Sequence, residues 1–220
     1  MNLSTETIAM LKNFSDINQN ILIKPGNKIQ TISNMRNILA EAEIKEKFDS
    51  EFAIYDLPQF LRSLDLFKSP ELKFNGGSNM TISEAKSSKS VKYFFSDKST
   101  VFTPNKINMP DNHVTFTLKN DDLAELHKGV TTLNLPDVSV IGDGKNIKLV
   151  ATDKKNKSSN EVSTVIGESD IKFTAYFKSE NFKMIPDDYD VAISKAKISS
   201  FISRSKNVKY WIALEPDSEF

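Results

Sequence analysis

The chain lacks cysteine altogether, so its 220 residues can form neither a disulfide framework nor a thiolate metal site. It also lacks long apolar runs. The longest, residues 210–214, has five residues, whereas a membrane-spanning helix needs roughly 20. The N-terminus carries Glu6 and no basic stretch ahead of an apolar one, so we expect no secretory signal. These absences predict a soluble, intracellular protein without a membrane partner.

An excess of charge of either sign is absent as well, because 29 basic side chains balance 29 acidic ones. A protein that coats nucleic acid through bulk charge would be strongly basic, so that class is excluded. An acidic disordered tail is excluded too, since 39% of the residues are apolar and 15 are Phe. A chain of this length can bury a core as one large domain or as two of about 100 residues.

Residue patterns that carry catalysis are missing. His113 and His127, the two histidines, stand outside any zinc-protease or nucleophile-elbow motif and are better interpreted as structural. Gly142 and Gly144 lack the third glycine of a dinucleotide-binding fingerprint, because Ile147 stands in its place. The acidic run 187–190 lacks the spaced ligands of a calcium loop and favours a turn. We therefore expect no enzyme activity, no cofactor and no metal site.

Short strands dominate the hydropathy pattern. Strands are predicted at residues 21–24, 28–32, 39–44, 51–55, 72–75, 80–84 and 91–95, and a second series begins at His113. Turns that contain glycine are predicted at residues 25–27, 75–78 and 142–145. Helices are predicted from Ser4, as the N-cap, to about Asn18, from Leu57, from Asn120 and, as a short fourth helix, from Ser179.

The order of these elements repeats along the chain. Residues 21–29 match 138–147, residues 52–55 match 173–176, and residues 91–94 match 208–211. The offsets of 118, 121 and 117 residues favour an internal duplication over chance similarity between strand-rich segments. The irregular stretch between the two halves contains two prolines. We expect two similar domains, 1–97 and 113–220, joined by a linker at 98–112.

Each predicted helix has an apolar stripe on one side and one basic residue away from it. The stripes are Met10, Leu11, Phe14 and Ile17; Phe60, Leu61, Leu64 and Phe67; Leu123, Leu126 and Val130; and Phe182 with Ile185. The outward basic residues are Lys12, Arg62, Lys128 and Lys183. Acidic residues share these faces, so the pattern alone leaves open whether the cations contact nucleic acid or are merely solvated. The basic run 154–157 is better interpreted as a solvated loop than as a phosphate contact.

Several segments resemble the DNA polymerase sliding clamps, or processivity factors, of T-even-type tailed bacteriophages. The similar segments lie at residues 3–18, 40–44, 53–61, 99–106 and 210–220, whereas residues 152–171 match poorly. The resemblance implies an α+β protein with the DNA-clamp fold. Each chain would have two similar domains, and antiparallel sheets would lie outside and short helices inside a head-to-tail homotrimeric ring. Such a ring would encircle double-stranded DNA and tether the replicative DNA polymerase.

The resemblance also implies which residues make contacts. Lys12, Arg62, Lys128 and Lys183 would face the DNA, because a sliding ring must attract phosphates without reading bases. Subunits would join along two edge strands, through Val91, Tyr93, Phe94, Phe95, Val162, Thr164 and Ile166; the alternative is that the aromatic residues 93–95 fill the first domain's core. A partner peptide would enter an apolar pocket beside the linker, with Val101, Phe102, Ile107, Met109, Leu214 and Pro216 as candidates; the alternative is that the linker residues only tether the linker to its domain.

The expected partners follow from the same resemblance. Family members engage the polymerase and an ATP-dependent clamp loader, and some also support late transcription, in the cytoplasm of the infected bacterial host. A β-rich virion or scaffold protein that assembles without DNA is the alternative function. A single-strand-binding accessory protein is disfavoured, because the sequence shows no spaced surface aromatics that would suggest a stacking platform.

Overall fold

The computed structural model describes residues 1–104 and 109–220. The chain divides into two compact units, Met1–Asn105 and Lys106–Phe220. No helix in the described part of the chain is long and apolar enough to cross a membrane.

The described residues of the first unit form two α-helices and seven strands. The helices are α1, Thr5–Ile17, and α2, Leu57–Leu64. The strands are β1 Ile21–Ile23, β2 Gly26–Ile32, β3 Ile38–Phe48, β4 Phe52–Ile54, β5 Glu71–Phe74, β6 Asn79–Ser83 and β7 Ser90–Phe94. Pairing is antiparallel between β1 and β4, between β2 and β3, and along the three-stranded sheet β5-β6-β7.

The described residues of the second unit form one α-helix, α3, Asn120–Leu133, and eight strands. The strands are β8 Val114–Leu118, β9 Asp137–Asp143, β10 Asn146–Thr152, β11 Val162–Glu168, β12 Lys172–Lys178, β13 Tyr189–Ser194, β14 Ile198–Ser203 and β15 Val208–Ala213. One antiparallel sheet has the order β11-β10-β9-β12, and β8, β13, β14 and β15 follow one another in a second.

The helices begin where polar side chains satisfy their first N–H groups. The Ser4 hydroxyl accepts a hydrogen bond from the Thr7 N–H at 3.2 Å, and the Asp56 carboxylate accepts one from the Gln59 N–H at 2.7 Å. At α3 the cap comes from a distant residue, because the carboxylate of Asp188 accepts the Asn120 N–H at 2.8 Å. The predicted helix starts at Ser4, Leu57 and Asn120 are confirmed.

The predicted fourth helix is wrong. Residues Ser179–Asn181 form a single 3₁₀ turn. Phe182 and Met184 beyond it are both buried while Lys183 between them is exposed, which is the period of an extended segment. Pro186 disfavours a helical conformation for the residue before it. Lys183 therefore does not lie on a helix.

The residues of the four predicted apolar stripes are buried, except that Val130 and Ile185 are only half-buried. Element order supports the predicted duplication. After β8, which opens the second unit, each unit runs from a helix through four strands to a helix or 3₁₀ turn and then three more strands. The pairing of Met1 with Leu72 in β5 corresponds to the pairing of β8 with β13 in the second unit. The Met1 amino group donates to the Leu72 carbonyl at 2.8 Å, and the Leu72 N–H donates to the Met1 carbonyl at 2.7 Å.

The C-terminal residues 215–220 lie along the outer edge of β12. Thr174 and Glu219 exchange backbone hydrogen bonds of 2.9 and 2.8 Å, and the Tyr176 N–H donates to the Ser218 hydroxyl at 2.9 Å. Two lysines hold the segment from its sides. Lys154 Nζ lies 2.8 Å from both carboxylate oxygens of Asp217, and Lys197 Nζ donates to the Ser218 carbonyl. The segment therefore pairs with β12 and closes this edge of the sheet.

The acidic run 187–190 begins as the predicted turn rather than a cation site. The Asp187 carboxylate accepts hydrogen bonds from the Ser203 and Ser205 hydroxyls and from the Ser205 N–H. Burial alone would raise the pKa of Asp187, but these hydrogen bonds hold it at about 2. Among the described residues, no group of three or more His, Asp or Glu side chains could hold a metal ion.

Replacing Asp187 by Asn should lower the free energy of unfolding at neutral pH by about 2 kcal/mol, because a pKa difference of one unit corresponds to about 1.4 kcal/mol. The folded-state pKa of Asp187 lies below the ordinary value of 3.8. Its contribution is therefore present above about pH 4 and is lost as the pH falls towards 2. Urea unfolding of the variant and the parent across this range measures the difference. Asp190→Asn, on an exposed side chain, is the control; an equal loss at pH 3 and pH 7 would contradict the argument.

Candidate functional site

The exposed faces of α1 and α2 carry two of the four candidate DNA-facing cations. Lys12 is exposed on α1, on the side away from the buried residues Leu11 and Phe14. Arg62 is exposed in the last turn of α2, where a cation also interacts favourably with the C-terminal end of the helix dipole. Both positions agree with the predicted pattern, and both can approach a polyanion.

The other two candidates have different surroundings. Lys128 is exposed on α3, but it follows the carboxylates of Asp121, Asp122 and Glu125 on the same helix. Burial raises the pKa of Asp122, and the carboxylates of Glu125 and Asp121 add to this effect. Lys183 is exposed on the extended segment after the 3₁₀ turn. The pattern of one cation on each helix therefore holds for α1, α2 and α3 only.

The first candidate interface strand, β7, lies at the edge of the three-stranded sheet. Its side chains alternate. The ring of Tyr93 lies 5.2 Å from that of Phe60, and the ring of Phe95, just past the strand, lies 4.9 Å from that of Phe52. Phe94 points the other way and is 61% exposed. Core packing thus accounts for Tyr93 and Phe95, whereas Phe94 and the outer backbone edge are available to a neighbour. Val91 is half-buried.

The second candidate strand, β11, is the open edge of the four-stranded sheet. The three predicted contact residues, Val162, Thr164 and Ile166, are half-buried. Val162 packs so closely on α3 that a Cβ on Gly129 would lie 2.9 Å from Val162 Cγ2. Val165 is the outward apolar residue of this strand, at 58% exposure, and it was not among the predicted residues. The strand period of two was the signal that could have found it.

Phe102, a candidate for the partner pocket, is 45% exposed and lies under the guanidinium of Arg36, 4.4 Å from the ring centroid. It lines a small pocket of about 190 Å³ beside the turn from β1 to β2. Met35, at the tip of the β2–β3 hairpin, is 83% exposed. Neither Met35 nor Arg36 was predicted, because the contact of Arg36 with Phe102 is not visible in the sequence. Val101 is buried.

The remaining pocket candidates lie in the second unit. Met109 lines a groove of about 680 Å³ on β8, β13 and β14, together with the apolar side chains of Phe116 and Ile202. Neither Leu214 nor Pro216 lines this groove. Leu214 is buried and Pro216 is exposed in the C-terminal segment. Ile107 lies outside the described residues.

Family models match most of the chain. The model described as DNA polymerase processivity factor matches residues 4–103, and the model described as gp45 sliding clamp, C terminal, matches residues 115–216. The sliding clamp of Vibrio phage KVP40 is 35% identical over 231 residues, which cover 98% of this chain and 99% of that protein. The sliding clamps of Escherichia phage RB69 and Enterobacteria phage T4 are each 31% identical, over 99% of this chain and 98% of those proteins.

Solved structures are similar in fold. The PCNA2–PCNA3 complex of Sulfolobus tokodaii aligns with a TM-score of 0.69 at 12% identity, over 95% of this chain and 95% of the other. A. fulgidus PCNA, bound to the C-terminal region of FEN-1, aligns with a TM-score of 0.70 at 11% identity, over 96% of each chain. The predicted clamp fold with two similar domains is confirmed, and the scaffold alternative gains no support. This chain belongs to the sliding-clamp family, the processivity factors of DNA polymerase.

Proposed function

We propose that three copies of this chain close head to tail into a ring that encircles double-stranded DNA and tethers the replicative polymerase to its template. The observation that carries the proposal is the pair of open sheet edges, β7 on the first unit and β11 on the second. Because these edges belong to different units, β7 of one copy can pair with β11 of the next. A heterologous contact of this kind generates a ring when its rotation closes.

Few positive charges on the chain contact the DNA. Lys12, Arg62, Lys128 and Lys183 supply separated positive charges, and acidic residues stand between them. Phosphate contacts of this type position a protein on the duplex without reading its sequence. Retention on DNA then comes from the closed ring, while catalysis remains with the polymerase that the ring holds. The chain itself acts as an accessory protein.

Partners dock on the pocket at Phe102 and the groove at Met109. The apolar surface of Met35 and the Arg36–Phe102 contact offer a site for a partner's peptide beside the β2–β3 hairpin. A closed ring cannot reach circular DNA without opening, so we include an ATP-dependent clamp loader among the partners, besides the polymerase and late-transcription factors. All of these act in the cytoplasm of the infected bacterium.

Replacing Lys12, Arg62, Lys128 and Lys183 together by Ala should weaken retention on duplex DNA and flatten its salt dependence, by roughly one unit of log–log slope for each lost phosphate contact. The free energy of unfolding should change little, because all four side chains are exposed. The measurement is the dissociation of assembled protein from nicked circular DNA at increasing salt.

The matched control replaces four other exposed lysines, Lys73, Lys145, Lys172 and Lys209, by Ala, which removes the same charge. If the two variants dissociate at the same rate, the assignment of the four DNA-facing residues is wrong.

A further inference from the structure

Two segments of the first unit are tied together at the end of α2. The residues that follow α2 contact the loop between β6 and β7. Lys89 Nζ donates to the Leu66 carbonyl at 3.1 Å and lies 5.2 Å from the centroid of the Phe67 ring. The Ser69 N–H donates to the Glu84 carboxylate at 3.2 Å. Since these contacts join residues 23 and 15 positions apart, they fix the loop against the end of the helix.

Four exposed cations belong to these tied segments: Arg62, Lys68, Lys86 and Lys89. We name them the α2 basic patch. Residues 62–69 and 84–89 contain two carboxylates, Asp65 and Glu84, and the Ser69 N–H engages Glu84. The exposed Glu71 follows the first of these segments. The salt bridges of the described residues include none of the four cations. The patch therefore has a local excess of positive charge in a chain whose net charge is zero.

A purely structural role explains only one of these lysines. Lys89 satisfies a carbonyl just beyond the end of α2, and a cation is favoured at that end of a helix. Lys86 sits in a turn closed by the Ser87 N–H and the Glu84 carbonyl at 3.2 Å, with a φ of 63°. A non-glycine residue in this left-handed conformation is uncommon. Among the described residues of the first unit, no hydrogen bond, salt bridge or ring contact engages the ammonium group of Lys86 or Lys68.

The chemistry of the patch fits a phosphate backbone. The same segments carry the exposed serines Ser69, Ser87, Ser88 and Ser90. Ammonium groups and serine hydroxyls are typical donors to DNA phosphates. The patch also begins on the exposed face of α2 with Arg62, which the proposed function already places beside DNA. An acidic protein surface could also bind the patch through its carboxylates. A protein partner of that kind would not explain why the patch continues from Arg62 on the exposed face of α2.

We infer that the α2 basic patch is a further DNA-contact site, at which Lys68, Lys86 and Lys89 extend the contact of Arg62 along the phosphate backbone of the duplex. This inference rests on the proposed function. It also makes DNA contact uneven within each chain. The end of α2 carries four cations and two carboxylates, whereas α3 places three carboxylates ahead of Lys128.

The test replaces Lys68 and Lys86 by Ala and leaves Lys89 in place, because Lys89 also holds the loop. Binding of the full-length chain to a duplex of about 40 base pairs is measured by fluorescence anisotropy at increasing KCl. We expect the log–log salt slope to become shallower by about two units and the affinity at low salt to fall about tenfold. The control pair, Lys145→Ala with Lys209→Ala, removes the same charge from exposed positions of the second unit and should leave the slope unchanged.

The outcomes separate the two proposals. If the unaltered chain neither binds the duplex at low salt nor stays on nicked circular DNA, the proposed function fails, and this inference with it. If the unaltered chain binds but the Lys68/Lys86 variant keeps the slope of the control, only the patch is overturned. Because the chain contains no cysteine, Lys86→Cys can also carry a single photocrosslinker. Adducts with DNA support the site, whereas the same adduct yield from Lys145→Cys, or adducts suppressed by polyglutamate but not by excess duplex, would overturn it.

Discussion

Introducing Asp at both Phe94 and Val165 should convert the assembled protein into single chains of 24.8 kDa and abolish processive DNA synthesis. These are the outward apolar side chains of the two open sheet edges, at 61% and 58% exposure. Charging a central interface residue costs about 2 kcal/mol or more, which is about thirtyfold in affinity for each contact. A ring has every contact repeated, so the loss applies to all of its interfaces. Sedimentation equilibrium across a concentration series measures the mass.

The two single variants test the two sheet edges one at a time. Phe94→Asp and Val165→Asp remove different halves of the same contact, so both should weaken assembly, and an equimolar mixture should not restore closed rings. Ile202→Asp changes an apolar side chain that is 43% exposed on β14, away from both edge strands. Because Ile202 lines the groove at Met109, this variant is a control for assembly alone, and it should keep the mass of the parent. A double variant that keeps three times the mass of the single chain would show that these edges are not the interface.

Replacing Lys178 by Met should lower the free energy of unfolding by about 3–5 kcal/mol, because it leaves a buried carboxylate without its partner. Lys178 Nζ lies 2.6 Å from Asp137 Oδ1, and the Asp137 side chain is only 2% exposed. The hydrogen bond to Asp137 raises the pKa of Lys178, so the ammonium group keeps its proton at neutral pH. Asp137 also accepts the Lys154 N–H at 3.2 Å, which ties β9 to the β10–β11 loop. Urea unfolding followed by far-ultraviolet circular dichroism gives the difference.

Two further variants identify the cause. Replacing Asp137 by Asn in the Lys178→Met background should recover most of the loss, since no buried charge then remains. Lys148→Met breaks a solvent-exposed pair, Lys148 with Asp143 at 3.1 Å, and should cost less than about 1 kcal/mol. A loss of similar size in the Lys148 and Lys178 variants would argue that general surface effects, rather than the buried carboxylate, set the stability.

Local signals made much of this fold predictable from the sequence. Ser4 and the Leu57–Pro58 pair marked helix starts because capping and proline geometry act within one turn of helix. The repeat offsets predicted the second unit from the first, since duplicated segments keep their element order. The helix prediction for residues 179–185 was wrong because the apolar stripe there was too short to fix its period. Phe182 and Ile185 have the spacing of a helix face, whereas Phe182 and Met184 have the spacing of a strand face.

The parts of the site that escaped prediction depend on contacts between distant residues. Arg36 reaches Phe102 only because the hairpin tip folds beside the chain that leaves the first unit. The α2 basic patch brings Lys89 to Leu66 across 23 residues, and no spacing rule links those positions. Val165 was overlooked for a different reason, because its half-buried neighbours are equally β-branched and only the observed face separates them.

In the proposed ring, the C-terminal segment on β12 would limit how many neighbours a chain can accept. Without it, the four-stranded sheet would have two adhesive edges, β12 as well as β11, and each chain could recruit a strand at both ends of that sheet. Such a chain could branch into open networks instead of finishing as a closed object. Because Glu219 is paired with Thr174, only one edge of this sheet, β11, is left to pair with another strand. If the proposed ring forms, the pairing of residues 215–220 with β12 would leave β11 as the one edge of this sheet that a neighbouring copy can use.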